Sequence, residues 1–141
     1  MQEIENLELL FDMQNCDIME VNKLLEQIEF VYQKDGVNKY FVITPYSSYL
    51  GEDIPVFNKL VFSNEQLPGR VLDGTLFVGF NEEVYYDKEP HEMLNQIKHI
   101  SKIELLDSCS IDIFDGNKKF RLGFVHQDEY ANDRFVVDFE W

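Results

Sequence analysis

The C-terminal third of the chain alternates between apolar and polar residues, and this alternation constrains the fold more than any other feature. Most odd positions from Ile103 to Ile113 are apolar, as are the even positions from Phe120 to Phe124, and residues 135–141 alternate again. A period of two is typical of a strand with one buried face. Because Asp115-Gly116-Asn117 is a hairpin-turn sequence, we expect a three-strand antiparallel meander. Its inner face would include Ile111, Ile113, Phe120, Leu122, Phe124, Val137 and Phe139.

The central part of the chain also favours strands. Residues 40–44, 56–62 and 71–80 are short runs that are rich in β-branched and aromatic residues. Prolines and Pro-Gly or Asp-Gly pairs lie between these runs and indicate turns. The central runs are therefore predicted to extend the antiparallel sheet.

Residues 18–32 are predicted to form a helix. Asp17 is a suitable N-cap, and Glu20 three residues later completes a pattern like that of a capping box. The helix would end at Asp35-Gly36. Its apolar stripe would consist of Ile18, Val21, Leu24, Leu25, Ile28, Val31 and Tyr32.

Two further segments bear on the helix content. A second helix is predicted to begin near Pro90, a residue that suits the first turn of a helix. Residues 4–13 fit a helix and a strand equally well. In the second helix, Met93, Leu94, Ile97 and Ile100 would face the core, and His91, Asn95 and His99 would face outward.

Together these patterns predict an α+β fold. Residues 1–141 are short enough for one domain, and no linker or low-complexity run divides them. We expect a single antiparallel sheet of about five to seven strands, with the C-terminal meander as part of it. Two or three helices would cover its apolar face.

The charge of the chain limits its function. Asp and Glu number 27 against 12 Lys and Arg, so the formal net charge is −15. The chain is also 45% hydrophobic and contains 12 Phe, 7 Tyr and 1 Trp, which distinguishes it from an acidic disordered chain. A strongly negative folded surface repels nucleic acid and anionic membranes and speeds encounter with basic partners. We therefore expect a basic protein partner, no direct binding of nucleic acid and no membrane association.

The sequence gives little indication of a compartment or an assembly. The first residues lack a secretory signal pattern, and no apolar stretch has the length of a membrane span. Cys16 and Cys109 are therefore expected to be reduced in a cytoplasmic protein. The oligomeric state stays open.

No sequence motif indicates a reaction. The three histidines and two cysteines lack the spacing of metal ligands, and His91 and His99 would lie roughly 12 Å apart along a helix. Cys109 and His126 could pair on neighbouring strands, but no third group is evident that would orient them. We therefore predict no catalytic residue, no metal and no cofactor. The alternative is a small enzyme or ligand-binding domain whose site is assembled from dispersed residues.

Two acidic tracts that contain tyrosine form the candidate partner-binding site. Carboxylates around a tyrosine suit a protein–protein hot spot that faces a basic partner. In the alternative interpretation, the tyrosines pack at the sheet edge and the acids only increase solubility. The candidate residues are Glu82, Glu83, Tyr85, Tyr86 and Asp87 in the first tract and Asp128, Glu129 and Tyr130 in the second.

The function that these features favour is inhibition by binding. A compact acidic protein of this size can associate quickly with a cationic nuclease-type toxin and cover its active site, as immunity proteins and antitoxins do. A protein that mimics DNA would share this composition, with carboxylates in place of phosphates at regular spacing along one face. Either function would make the chain a binding protein and not an enzyme.

Overall fold

The described part of the protein consists of two antiparallel β-sheets and two short helices. The computed structural model describes residues 6–24, 27–50, 54–66, 74–81, 83–86, 89–107 and 110–126. The helices are α1 (Leu7–Asp12) and α2 (Glu89–Leu94). The strands are β1 (Cys16–Leu24), β2 (Gln27–Lys34), β3 (Val37–Leu50), β4 (Ile54–Ser63), β5 (Gly74–Phe80), β6 (Glu83–Tyr86), β7 (His99–Ile100), β8 (Lys102–Asp107), β9 (Ser110–Asp115) and β10 (Lys118–His126).

Each sheet contains five of these strands. The strand order in sheet A is β4-β3-β2-β1-β7, and in sheet B it is β6-β5-β10-β9-β8. The predicted α+β class is therefore wrong, because each described helix has only six residues and strands make up most of the described chain. Two sheets that pack on each other replace the expected single sheet covered by helices.

The main error concerns residues 18–32, which form two strands instead of a helix. The pairing of β1 with β2 is irregular between Ile18 and Glu20, so Met19 is an additional residue in β1. A β-bulge of this kind places Ile18 and Val21 on the same face although they are three residues apart. Strand β2 is buried on both faces, so its apolar residues are nearly continuous and do not alternate. Both effects imitate the spacing of an apolar stripe on a helix.

The predicted end of that helix is a hairpin turn between β2 and β3. Asp35 and Gly36 both have positive φ angles, of 53° and 77°. Two consecutive residues in this region are typical of a type I′ turn, for which Asp-Gly is a preferred sequence. The turn sets the register of the hairpin, in which Lys34 pairs with Val37 and Phe30 with Phe41.

The two remaining helix predictions are resolved in different ways. The ambiguous first segment is helical over its described part, as α1. Helix α2 begins beside Pro90 as predicted but ends at Leu94, so His99 and Ile100 belong to β7. Leu94, Ile97 and Ile100 are buried as expected. The expected outward orientation is wrong for His91 and Asn95, whose side chains bind the backbone of β1.

The C-terminal third is a meander in which the strands differ from the predicted ones. The run from residue 103 to residue 113 is broken between Asp107 and Ser110, which gives β8 and β9. Strand β10 then pairs with β9 across the Asp115–Lys118 turn. Residues Val137 and Phe139 lie outside the described part of the chain. The other residues of the predicted inner face, Ile111, Ile113, Phe120, Leu122 and Phe124, are all buried.

The inner faces of both sheets contribute to one apolar cluster. On sheet A, Phe41 packs against Phe62 with a distance of 5.3 Å between ring centroids. On sheet B, Phe80 stacks on Phe120 at 4.5 Å. Leu10 of α1 and Leu94 of α2 are buried in the same cluster. Packing of two apolar sheet faces therefore forms the core of the described structure.

Polar groups are also buried on the opposite faces of the sheets. On sheet B, Asp112 is almost fully buried, and its two carboxylate oxygens accept hydrogen bonds from Arg121 Nε and Nη2 at 2.7 and 2.9 Å. A bidentate pair of this kind offsets much of the desolvation of the two charges. On sheet A, the buried Thr44 hydroxyl has no hydrogen-bond partner among the described residues.

Gly123 allows a close contact between β10 and β5. A Cβ atom at this position would lie only 2.7 Å from Cε2 of Phe77, its partner across the strands. We therefore expect Gly123→Ala to lower the free energy of unfolding by about 1–3 kcal/mol, because the ring must move. Urea denaturation measures this change. Phe77→Leu in the same background should recover part of the lost free energy of unfolding. If the effects of the two substitutions were strictly additive, the contact between residues 123 and 77 would be contradicted.

Thr44→Val should stabilise the fold. Replacement of the unpartnered hydroxyl by a methyl group removes a desolvation cost, so we expect a gain of about 1 kcal/mol in the free energy of unfolding. Val42→Thr is the matched control, since it places a second hydroxyl at a fully buried position on the same face and should destabilise. A loss of stability in Thr44→Val would contradict the conclusion that the Thr44 hydroxyl is unsatisfied.

Candidate interaction surface

The outer face of sheet A brings acidic and apolar side chains together. Strand alternation places Asp17, Glu20 and Asn22 of β1 on the face opposite to the core residues Ile18 and Val21. Across the sheet, Glu20 pairs with Val31, which in turn pairs with Tyr40 of β3. We call the surface formed by Asp17, Met19, Glu20, Glu29 and Tyr40 the acidic face.

Two carboxylates of the acidic face share one neutral donor. Asn22 Nδ2 donates to Glu20 Oε1 at 3.2 Å and to Glu29 Oε1 at 3.0 Å. Asn22 and Glu29 are direct cross-strand partners, so the register of β1 on β2 creates this contact. Because an amide carries no net charge, it orients the two carboxylates without neutralising them. The pair therefore remains available to a cationic group.

Two large apolar side chains lie exposed beside these carboxylates. Met19 is 53% exposed and Tyr40 is 49% exposed, although both belong to strands of a packed sheet. The bulge in β1 accounts for Met19, because the additional residue has no partner in β2. Tyrosine and methionine are enriched in protein interfaces, and a rim of carboxylates adds selectivity for basic partners.

The nearby lysines are held on the other face of the sheet. Lys34 and Lys39 both form ion pairs with Asp12, which lies at the end of α1. Tyr32 Oη donates to the same carboxylate at 2.6 Å. We call this group of Asp12, Tyr32, Lys34 and Lys39 the Asp12 clasp. It joins α1 to the β2–β3 hairpin and keeps two positive charges away from the acidic face.

The protonation states in the clasp follow from these contacts. The hydrogen bond from Lys34, followed by the one from Tyr32, lowers the pKa of Asp12 from 3.8 to about 2. Burial and the Asp12 carboxylate raise the pKa of Tyr32. Burial also raises the pKa of the Cys16 thiol, which donates to the Asp12 carbonyl oxygen at 3.4 Å. The phenol and the thiol therefore stay protonated at neutral pH and are poor nucleophiles.

The described residues do not support a metal site. Within those residues, no group of three or more His, Cys, Asp or Glu side chains is arranged to hold a metal ion. His99 Nδ1 instead lies 2.7 Å from Asp17 Oδ1, its cross-strand neighbour. Cys109 lies outside the described residues, so the structure does not test whether it pairs with His126.

The predicted partner-binding residues are described only in part. Glu83, Tyr85 and Tyr86 belong to β6, the outermost strand of sheet B. Glu83 is exposed, and Tyr85 Oη donates to its Oε2 at 2.6 Å. This hydrogen bond lies within the first predicted tract, and partner binding by that tract stays a prediction. The other predicted residues, Glu82, Asp87, Asp128, Glu129 and Tyr130, lie outside the described part of the chain.

The sequence patterns did not predict the acidic face. In a helix over residues 18–32, Glu20 and Glu29 would not have met through Asn22, whereas the β1–β2 register makes them neighbours. The available signal was Asp35-Gly36, a strong hairpin sequence that we interpreted as the end of a helix.

Comparison with known proteins gives no further assignment. The chain matches no protein-family model, no curated protein and no solved structure. In the segments that the structure describes, no helix has the length and apolar character required to cross a membrane.

The clasp predicts a specific dependence of stability on pH. The lowered pKa of Asp12 means that its contribution is complete above pH 3.8 and disappears as the pH falls toward about 2. Asp12→Asn should therefore lower the free energy of unfolding by about 1–2 kcal/mol at neutral pH, with a smaller difference from the wild type near pH 2. Urea denaturation at several pH values tests this expectation.

A turn substitution provides the control for this experiment. Asp35→Asn removes a carboxylate at an exposed position, and asparagine tolerates the positive φ angle there. We expect little change in stability for this variant. A loss in Asp12→Asn that is equal at neutral and acidic pH would contradict the role of its ionised carboxylate.

Proposed function

We propose that this protein inhibits a basic protein partner by binding it, as a toxin-neutralising immunity protein or antitoxin does. The observation that carries the proposal is the acidic face, where the strand register places the carboxylates of Glu20 and Glu29 on the same sheet face as the exposed Tyr40, with Met19 exposed at the neighbouring bulge. The face thus combines charges that attract a basic surface with apolar groups that hold it.

The charge distribution supports this function. The chain carries a net charge of −15, which raises the rate of encounter with a cationic protein. At the outer-face positions of β1, β2 and β3 that surround Glu20, the residues are acidic, neutral polar or apolar. Lys34 and Lys39 are bound to Asp12 on the opposite face. A basic partner would therefore meet a negative field at the acidic face with little local repulsion.

The protonation states at the Asp12 clasp do not favour nucleophilic catalysis there. The hydroxyl and thiol groups of the Asp12 clasp region, Tyr32 and Cys16, have raised pKa values. An activated nucleophile requires the opposite direction, or a base that accepts its proton. Asp12 is a weak base for this purpose because its pKa is lowered to about 2.

The tyrosine and carboxylate pair on β6 is a second proposed contact. Glu83 and Tyr85 form a hydrogen-bonded pair at the outermost strand of sheet B, within the predicted acidic tract of residues 82–87. Because the acidic face lies on sheet A, substitutions on the two sheets can be tested separately. The acidic face is expected to contribute more to binding, because it offers two carboxylates and two exposed apolar side chains.

Charge reversal on the acidic face should reduce the association rate. The tagged protein would capture its partner from extracts of the native cell, and the purified partner would be used for stopped-flow kinetics. We expect Glu20→Lys/Glu29→Lys to slow association by roughly tenfold or more at about 0.1 M salt and by much less at about 1 M. Tyr40→Ala should mainly raise the dissociation rate, because a buried aromatic anchor holds the complex once it has formed.

A control variant distinguishes the effect of local charge on the association rate from the effect of the overall net charge. Glu92→Lys/Glu104→Lys changes the net charge equally but alters residues of α2 and of β8 in sheet B, outside the acidic face. This variant should retain most of the association rate. If the two double variants slow association equally, the partner binds elsewhere and the net charge alone explains the lower rate. Glu83→Lys, measured alongside, reports on the β6 contact.

A further inference from the structure

Strand β1 has an edge that the β7 strand covers only in part. Strand β7 pairs with β1 at Cys16 and Asp17 alone, while β1 continues to Leu24. The Ile18 amide then donates to the Lys98 carbonyl oxygen at 2.8 Å. Beyond Ile18, the described structure has no strand beside this edge of β1.

A side chain of α2 and one from the turn that follows it cover the next part of this edge. The Val21 amide donates to Asn95 Oδ1 at 3.3 Å, and His91 Nε2 donates to the Val21 carbonyl oxygen at 2.8 Å. Asn95 Nδ2 donates to the His91 carbonyl oxygen at 3.0 Å, which orients the amide so that its oxygen faces Val21. Two side chains therefore occupy both backbone groups that an additional strand would use.

In the described part of the structure, the same edge continues for a short distance without such coverage. The backbone N–H and C=O of Val21 point away from β2, because the side chains of Asn95 and His91 bind them. The backbone of Lys23, two residues later, therefore points the same way. An open edge of this kind is a template for another strand, and proteins commonly protect it with charged side chains or covering elements.

We propose that the His91–Asn95 pair guards β1 against strand addition, and that without this guard β1 pairs with β1 of a second copy. An antiparallel pair centred on Asn22 would place Val21 opposite Lys23 and Asn22 opposite Asn22 of the second copy. Glu20 would face Leu24. This register opposes no like charges across the new interface, whereas the negative charge elsewhere on the two copies would weaken it.

The test compares self-association of purified variants. Analytical ultracentrifugation at about 0.5 M NaCl, which screens the repulsion between copies, would measure the monomer–dimer equilibrium. We expect His91→Ala/Asn95→Ala to raise the association constant by roughly tenfold or more over the wild type. Gln96→Ala is the matched control, since Gln96 is exposed in the turn after α2 and its side chain bonds only to Met93 Sδ among the described contacts. It should behave as the wild type.

A third substitution identifies the edge and distinguishes pairing from misfolding. Lys23→Pro removes an outward N–H without breaking the ladder between β1 and β2, and proline is tolerated at such edge positions. Added to the double variant, it should restore the monomer. Dimerisation that persists after Lys23→Pro, or a folded double variant that stays monomeric, would overturn the proposal. If circular dichroism shows that the double variant is unfolded, the single variant Asn95→Ala takes its place with the same expected outcomes.

Discussion

Burial of the apolar inner faces of the two sheets is the interaction on which the other features depend. Phe30, Phe41 and Phe62 on sheet A and Phe120 on sheet B are fully or almost fully buried in one cluster. Since side chains alternate between the faces of a strand, burial of one set determines which residues face outward. The acidic face is thus a consequence of the packing, because the residues between Ile18, Val21 and Phe30 include Glu20 and Glu29.

The sequence was sufficient to predict the buried residues where one face of a strand is buried and the other is exposed. Ile111, Ile113 and Phe120 alternate with polar residues, and their burial agrees with the prediction. Residues 18–32 could not be assigned in this way. The bulge at Met19 changed the spacing of the apolar residues, and burial of β2 on both faces removed its alternation. A period of two or of 3.6 residues is informative only when the backbone is regular and one face is buried.

The candidate site was harder to predict than the fold because it depends on pairing between strands. Glu20 and Glu29 become neighbours only through the β1–β2 register, and Tyr40 joins them through β3. Local sequence contains no information on such a register unless the turn is recognised. By contrast, the Glu83–Tyr85 pair is two residues apart on one strand, so its proximity follows from alternation alone. The Asp12 clasp adds a second nonlocal effect, because it binds Lys34 and Lys39 on the side of the sheet opposite to the acidic face.

Carboxylate footprinting of the complex tests most directly whether the acidic face is the binding surface. Carbodiimide labelling followed by mass spectrometry would compare the reactivity of each Asp and Glu in the free protein and in the complex with the captured partner. If the acidic face binds the partner, labelling of Asp17, Glu20 and Glu29 should fall markedly in the complex, while labelling of Glu92 in α2 and Glu104 in sheet B should change little. Unchanged labelling of Glu20 and Glu29 in a saturated complex would contradict the proposed surface.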